Sequence, residues 1–394
     1  MTYPTIRILP GRDRRFRGGS PWLFSNELEI DAAAKALLPG SVVRIMTAQA
    51  KVMGVAHFNP HSLIAARMLT RNKDAVIDLK FVRRRIARAL AVRDRLFDRP
   101  FYRLVHAEAD GLPGLVIDRL GDTVVLQPNT AGWDRLTDLA VAAVDAELRP
   151  RTIVVRGDTP VRALEGLGDA VQVAKGEAAP RIEIEENGLV FVADVMGGQK
   201  TGWYFDQRDN RAFVARLARG QRMLDLYSYA GGFALAAAAG GAGSVLGIDR
   251  AEAALDLARA SAERQGVAGR CEFRRNDVFA AVDELAAAKE RFGLVVADPP
   301  PFVKAKKDLG AGLRGYAKLA RGSAGLVAEG GFLCIACCSH NVPEAQFLEA
   351  VFDGIKDAGR GGRLLRAAGA GPDHPTHPAL PESAYLKFLA FALD

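Results

Sequence analysis

The side chains best suited to chemistry lie in the last third of the 394-residue chain. Cys337-Cys338-Ser339-His340 sets two thiols beside a histidine, and Asp298-Pro299-Pro300-Pro301-Phe302 sets a carboxylate ahead of three prolines and an aromatic ring. A thiolate is a potent nucleophile wherever it is exposed and local charge favours it. One reaction that needs such a group is alkylation at carbon 5 of cytosine, a carbon too poor a nucleophile to react directly. Addition of a thiolate at carbon 6 makes the ring enamine-like; a base then removes the carbon-5 proton, and elimination frees the thiol. In a strand, Cys334, Ala336 and Cys338 share one face and Cys337 takes the other. Cys338 stands at the end of that segment and is the candidate nucleophile. Asp298 is the candidate base and His340 a weaker one. Cys271, Cys334 and Cys337 read as small buried hydrophobes. Cys334-x-x-Cys337 looks like half of a zinc site, but no second C-x-x-C exists and a flat strand turns the two thiols to opposite faces, so no metal is expected.

Groups so far apart in sequence need a scaffold that gathers them. From Arg222 the chain alternates strand and helix: strands at Arg222–Tyr227, Ser244–Ile248, Cys271–Arg274, Leu294–Ala297 and Gly331–Cys337, helices between them and after the last at Phe233–Ala239, Glu252–Gln265, Val278–Lys289, Leu313–Ala328 and Pro343–Ala358. Such alternation predicts a Rossmann-like parallel sheet covered by helices on both faces. Ligands of doubly wound sheets sit beyond the carboxyl ends of the strands. Those ends carry Asp225-Leu226-Tyr227-Ser228-Tyr229-Ala230-Gly231-Gly232-Phe233, then Asp249, then Asn276-Asp277, then Asp298-Pro299. Two glycines at a strand-to-helix turn let backbone approach a ligand closely, and an acid after the second strand suits ribose hydroxyls. The G-x-G-x-x-G spacing that seats a pyrophosphate is absent, which argues against nicotinamide and flavin cofactors. A ligand with ribose and adenine but no phosphate fits better: S-adenosylmethionine (SAM). Asp249 and Asp277 could each be a helix cap, but caps alone do not explain four such strand ends in succession.

The first half of the chain reads differently. Residues 1–73 hold short period-2 segments at Thr5–Leu9, Ser41–Met46, Val52–His57 and Leu63–Leu69 with turns between them, a pattern for a small β-barrel. From Asp74 to residue 195 a second, α+β unit is expected. It opens on a helix with Phe81, Ile86, Leu90 and Leu96 on one face and Arg83, Arg84, Arg85, Arg88 and Arg93 on the other. Strands follow at Tyr102–Glu108, Leu115–Arg119, Thr123–Gln127 and Thr152–Arg156, with a helix over Trp133–Leu148 and closing strands at Ile182–Glu185 and Leu189–Asp194. Residues 196–394 form the third domain.

Charge follows this division. The chain carries 53 basic and 46 acidic side chains, a net +7; its first hundred residues hold 19 against 8, and the other 294 hold 34 against 38. A basic module on a near-neutral body suggests a nucleic-acid partner, with Arg12, Arg14, Arg15, Arg17, Arg83, Arg84 and Arg85 as phosphate contacts. A solvated helix face is the plain alternative for the last three. No run of about 18 apolar residues suggests a spanning helix, Met1 to Phe16 does not resemble a signal peptide, and four cysteines make no disulfide scaffold. A soluble, cytoplasmic protein is expected.

Taken together these segments resemble the bacterial PUA-domain RNA methyltransferases that make 5-methylcytosine in large-subunit ribosomal RNA. The resemblance runs through Gly18-Gly19-Ser20-Pro21-Trp22-Leu23-Phe24-Ser25, Glu108-Ala109-Asp110-Gly111-Leu112-Pro113-Gly114-Leu115 and Gln199-Lys200-Thr201-Gly202-Trp203-Tyr204-Phe205-Asp206-Gln207-Arg208. It continues through Asp225–Phe233, Asp298-Pro299-Pro300, Cys338-Ser339, Asp373-His374-Pro375 and Pro381-Glu382-Ser383-Ala384-Tyr385-Leu386-Lys387. It implies a PUA domain, a small α+β domain and a class I SAM fold. By position it makes Cys338 the nucleophile, Asp298 with Pro299 the motif that positions the base, and Gly231, Asp249 and Asp277 the holders of methionine, ribose and adenine, with Asp206 and Arg208 closing that pocket. A homodimer is compatible with it. The wider class of RNA cytosine methyltransferases often has a second cysteine where Pro300 and Pro301 stand here, which leaves the groups for proton abstraction and release open. Asp298-Pro299-Pro300 also resembles the D/N-P-P-Y/F motif of enzymes that methylate amino groups of bases, with Pro301 intervening before Phe302. A nitrogen methyltransferase of the same fold, or a non-catalytic RNA-binding assembly factor, are the alternatives.

Overall fold

The computed structural model describes residues 3–199 and 201–394, so Met1, Thr2 and Lys200 lie outside the described residues. Two compact units divide the chain. The first runs to Pro180 and adds Val195–Trp203 and Pro372–Ser383; the second comprises Arg181–Asp194, Tyr204–Gly371 and Ala384–Asp394.

The first unit begins with a six-stranded sheet in the order Trp22–Leu23, Ala66–Thr70, Val52–Phe58, Ser41–Met46, Thr5–Ile8, Leu28–Glu29. Its alternating residues bury Ile6, Ile8, Val43, Ile45, Phe58 and Met68 around Phe16, as period-2 side chains do when one face is covered. The expected strand at Leu63–Leu69 instead starts at Ala66, and Leu63 is exposed. Five further strands follow in the order Ala170–Lys175, Thr152–Gly157, Thr123–Pro128, Leu115–Leu120, Phe101–His106. Helices Leu79–Leu96 and Thr137–Leu148 share a core with this sheet, built on Phe81, Ile86, Ile117, Leu126, Trp133 and Val144. Asp78 caps the first helix by accepting from Phe81 N at 2.8 Å.

That helix corrects one expectation. Arg93 is not on the solvated basic face; it is 1% exposed. Its guanidinium donates to both carboxylate oxygens of Asp110 at 2.7 and 2.8 Å, to Arg103 O at 3.0 Å and to Asp373 O at 2.9 Å. Helical periodicity alone cannot distinguish a solvated cation from one met by a carboxylate supplied from another element.

In the second unit a seven-stranded sheet carries the chemistry. We number its strands β1 (Arg222–Leu226), β2 (Ser244–Asp249), β3 (Cys271–Arg275), β4 (Phe292–Ala297), β5 (Val327–Cys337), β6 (Gly362–Ala368) and β7 (Lys387–Leu393). Its helices are α1 (Arg208–Leu217), α2 (Gly232–Ala239), α3 (Glu252–Arg264), α4 (Val278–Ala287), α5 (Leu309–Leu326) and α6 (Glu344–Asp357). The spatial order is β3-β2-β1-β4-β5-β7-β6. The first five strands are parallel, as the alternation predicts, but β7 runs antiparallel to β5 and to β6, so the sheet is mixed. The reversal at β1, with β2 on one side and β4 on the other, opens a crevice at the strands' carboxyl ends. Leu224, Ile248, Val295, Leu333 and Phe391 form part of the core between sheet and helices. The hairpin Ile182–Glu186/Leu189–Ala193 belongs to this unit, whereas the sequence pattern puts the boundary after it, at 195. It is tied to α3 through Val192 N, which donates to Ser261 Oγ at 2.8 Å, and Gln265 Nε2, which donates to Val190 O at 2.8 Å. Among the described residues no helix is long and apolar enough to cross a membrane.

Candidate active site

The turn after β1 is the most constrained backbone of the second unit. Gly231 has φ +78°, and a Cβ there would lie 2.9 Å from the Ala258 Cβ. Tyr227 and Tyr229 also take positive φ, 63° and 49°, a cost that side chains other than glycine pay only where the surroundings impose it. Two carboxylates hold this turn. Asp225 Oδ2 accepts from Ser228 Oγ at 2.8 Å and from Ala234 N at 3.0 Å. Asp249, at the end of β2, accepts from Tyr229 N and from Ala251 N, both at 2.9 Å. Ala230 and Ser228 are buried beneath.

Asp225 is fully buried, and its Oδ1 has no hydrogen-bond partner among the described residues. Burial pushes its carboxyl up to about 7, and the charges of Asp298 and Asp249 add to the shift, while its bonds from Ser228 and Ala234 oppose it. A buried acceptor of this kind is costly unless something completes it. The amino group of a methionine moiety is a donor of the right charge. The chain's own residues therefore fit SAM at this crevice: Asp225 and Gly231 could hold the methionine end, and Asp249 the ribose.

Asn276 and Asp277 are placed less decisively. Asp277 is the N-cap of α4, accepting from Phe279 N at 3.0 Å and Ala280 N at 3.2 Å, and its side chain is exposed; Asn276 Nδ2 donates to Glu284. Tyr227 lies near Asp277 and Asp249, and burial first, then the Asp277 charge, raises its phenol to about 12. Phe233 is buried with its ring stacked on Phe388 at 6.1 Å, a packing role.

The ends of β4 and β5 bring the two candidate catalytic groups together. Cys338 Sγ lies 4.0 Å from Pro299 O, next to Asp298. Ser339 Oγ donates to Val303 O at 2.6 Å and Asn341 Nδ2 to Lys304 O at 3.2 Å, which ties the loop after β5 to the loop after β4. Asp298 Oδ2 accepts from Gln207 Nε2 at 3.0 Å, and Gln207 Oε1 accepts from Asn210 Nδ2 at 2.7 Å. Tyr204 lies over this corner, edge-on to Tyr229 with centroids 5.3 Å apart. Its phenol is held well above the ordinary value, chiefly by burial and then by the charges of Tyr229, Asp206, Asp298 and Cys338. Asp206 accepts from the Tyr385 hydroxyl at 2.5 Å. Arg208 is buried with its guanidinium over the Phe205 ring at 5.3 Å. His340 is exposed. Cys334 and Cys337 are fully buried, in keeping with their reading as packing residues, and burial holds the Cys334 thiol far above its usual range.

Sequence reasoning does not single out Gln207, Asn210, Tyr204 or Lys387 as functional. Their partners lie 91, 3, 25 and 48 positions away; the only signal is that Tyr204, Gln207 and Lys387 stand inside the quoted motifs. A separate cleft of about 500 Å³, lined by Arg222, Ser244, Cys271 and Glu290 among others, lies at the amino ends of β1 to β3, away from these groups.

In the first unit the basic residues are unequal. Arg12, Arg14 and Arg15 line a cleft of about 550 Å³ with Ser20, Glu27 and Pro381. Arg15 pairs with Glu27 at 2.9 Å and Arg17 with Asp13 at 2.6 Å. On the helix Leu79–Leu96, Arg83 pairs with Glu147 at 2.6 Å and Arg84 is exposed. Arg85 departs from the exposed placement expected of it: it is half-buried, lies over Phe81 at 5.1 Å and donates to Leu69 O at 3.0 Å.

A mixed sheet in this order, with a glycine turn after β1 and acids at the ends of β1 and β2 and just after β4, is the arrangement expected of a SAM-dependent methyltransferase. Comparison with known proteins agrees. Residues 135–366 match the family model of S-adenosylmethionine-dependent methyltransferases, and residues 6–71 match a PUA-like domain. Curated relatives called ribosomal RNA large subunit methyltransferase I include those of Aeromonas hydrophila, 37% identical, and Pseudoalteromonas atlantica, 35% identical, each match covering 98% of both chains. The chain belongs to the family of SAM-dependent methyltransferases that contains these relatives, with SAM as its cofactor. Among solved structures, a Streptococcus mutans protein assigned as a SAM-dependent methyltransferase matches over 99% of this chain and 100% of its own with TM-score 0.83 and 21% identity. A second assigned methyltransferase, solved in complex with SAH, matches over all of both chains with TM-score 0.84 and 20% identity. These two establish the fold.

Proposed function

We propose that this enzyme methylates carbon 5 of a cytosine in large-subunit ribosomal RNA, through a covalent adduct on Cys338. The substrate class rests on what the relatives alike over nearly the whole chain are called. The atom rests on one observation: a partly exposed thiol at the end of β5 stands beside Asp298-Pro299. When bound, SAM supplies an electrophilic methyl group. The Cys338 thiolate adds to carbon 6 of the base, so that an S–C bond forms and the 5,6 double-bond electrons become available at carbon 5. After carbon 5 has gained its methyl group, a base removes its proton, the double bond re-forms and the thiolate leaves. Asp298, whose carboxylate Gln207 Nε2 holds, is the leading candidate for that base; exposed His340 is the other. The target base must leave its stack to reach such a pocket.

Nitrogen methylation is the second reading, favoured by the acid-Pro-Pro-aromatic segment. Against it, the Phe302 ring packs on Tyr316 with centroids 4.7 Å apart and on Phe279 at 6.5 Å, which commits it to the core rather than to stacking on a base. Bisulfite mapping of ribosomal RNA from a strain lacking the gene tests the proposal. One large-subunit cytosine should lose its methyl group; an unchanged map would overturn it.

Two predictions concern the binding residues. Asp249→Ala removes the carboxylate proposed to grip ribose, and charge-assisted hydrogen bonds are worth about 1.5–3 kcal/mol. SAM affinity, measured by titration calorimetry, should fall about 10- to 100-fold; unchanged affinity would remove Asp249 from the cofactor site. For RNA, the proposed phosphate contacts are Arg12, Arg14 and Arg84, with Arg15, Arg17 and Arg83 able to exchange their carboxylate partners for phosphate. Replacing Arg12, Arg14 and Arg84 by Gln should weaken RNA binding and lower the slope of log K against log salt by about one for each phosphate left without its cation. SAM affinity should not change. A slope equal to wild type would show that these arginines do not meet phosphate.

A further inference from the structure

Lys387 is a buried charge that the reaction as derived does not use. It opens β7 opposite Cys337, the last residue of β5, in the antiparallel register. The residue is 6% exposed. Its ammonium donates to Ser339 O at 2.5 Å and to Tyr385 O at 2.9 Å, and no carboxylate pairs with it among the described residues. Two carbonyls compensate only part of the cost of burying a cation, and buried charges are ordinarily paired. The ammonium is anchored on the carbonyl of the residue that follows Cys338 in the chain.

We propose that Lys387 is a positioning residue for the nucleophile: its fixed positive charge holds the Cys338 thiol toward the thiolate, and its bond to Ser339 O holds the chain at the end of β5. The proposal rests on the reading of Cys338 as nucleophile. The groups around that thiol support it. Tyr204, from the segment before α1, Tyr316, from α5, and Lys387, from β7, each feel its charge; Asp298 precedes Pro299, whose carbonyl the thiol meets, and Glu344, at the exposed start of α6, faces Lys387. Burial keeps both tyrosines neutral, and the two carboxylates oppose a thiolate. Lys387 is the cation of the set. Burial lowers its own pKa, while the Cys337 and Cys338 thiols first, and Glu344 after them, draw it back up. Of the two thiols beside the ammonium, Cys337 is fully buried and Cys338 is not, so Cys338 is the one that can reach a substrate.

The test is the pH profile of Cys338 alkylation by iodoacetamide in the full-length enzyme without RNA, read peptide by peptide by mass spectrometry. Cys271, partly buried with its thiol pushed up to about 11, is the internal control. The wild-type Cys338 midpoint should fall below the ordinary thiol value of about 8.5. Lys387→Met should raise that midpoint by about one unit and slow alkylation at pH 7 about tenfold. Lys387→Arg, which keeps the charge, should stay within about threefold of wild type. Methyl transfer by the Lys387→Met enzyme should recover as pH rises. A wild-type midpoint at or above the ordinary value overturns the proposal even if Lys387→Met fails to fold, and so does a Lys387→Met profile superposable on wild type. The role of Cys338 as nucleophile fails separately, if Cys338→Ala still transfers methyl groups to RNA.

Discussion

Cys338→Ala is expected to abolish methyl transfer, by about 10³-fold or more in the single-turnover rate, because no other accessible thiol stands at the carboxyl ends of the strands among the described residues. Cys334 and Cys337 are fully buried, and Cys271 opens β3 at the sheet's other end. Uncatalysed carbon 5 has too little nucleophilicity for a residual route of comparable speed. The substitution should cost little stability, since Cys338 lies just beyond the last ladder pair, Cys337 with Lys387. SAM affinity should stay within about twofold of wild type, as the groups proposed to hold it are on β1 and β2. Alongside the rate, an RNA carrying 5-fluorocytosine separates the two chemistries. Wild type should form a denaturant-resistant adduct, because fluorine cannot leave as a proton does, and the alanine variant should form none. Wild-type turnover by Cys338→Ala would end the covalent mechanism and return the nitrogen reading to first place.

Arg93→Met is expected to destabilise the first unit by about 3–5 kcal/mol, the usual cost of removing one partner of a buried ion pair. The side chains of Arg93 and Asp110 are 1% and 9% exposed. The methionine would leave Asp110 without its counter-charge, although Asp110 Oδ2 keeps the bond from His106 N at 2.6 Å. Arg103 O and Asp373 O would each lose a donor. Asp373 is itself held by Arg103 N at 2.9 Å and contacts His374 Nδ1 at 2.9 Å, so the loss should loosen the segment Pro372–Ser383 on this unit. All three tryptophans of the chain, Trp22, Trp133 and Trp203, lie in the first unit. Urea unfolding followed by tryptophan fluorescence therefore reports that unit alone. Adding Asp110→Asn should recover part of the loss, since it removes the unpaired charge. A single variant within about 1 kcal/mol of wild type would mean that the pair contributes little beyond its burial.

The local pattern of the sequence determines more of the site than of the fold's edges. Alternation of strand and helix sets Asp225, Asp249, Asp298 and Cys338 at the ends of four of the five parallel strands, and the structure has each of them there. Strand ends are set by local periodicity, and doubly wound sheets gather those ends in one crevice. The antiparallel strands β6 and β7 leave no such mark. Lys387–Leu393 is a short apolar run behind a proline-rich stretch, and Gly362–Ala368 is mostly exposed or half-buried. The pattern that identifies β1 to β5, a strand running directly into a helix, does not extend to them. The edge strand Ala170–Lys175 escapes detection for a similar reason, as it is almost wholly exposed.

Only the tertiary structure decided what surrounds the named residues. Arg83, Arg84, Arg85 and Arg93 look equivalent along one helix, yet one is paired, one exposed, one half-buried against Leu69 O and one sealed in a network whose partner Asp373 is 280 positions away. Gln207 on Asp298 and Lys387 on Ser339 O are likewise pairings between segments distant in the chain. A side chain's type and its position in a strand or helix are local properties, readable from a single sequence. The charge and hydrogen bonds it meets are supplied by residues far away along the chain, and only the packing of those elements brings them within reach.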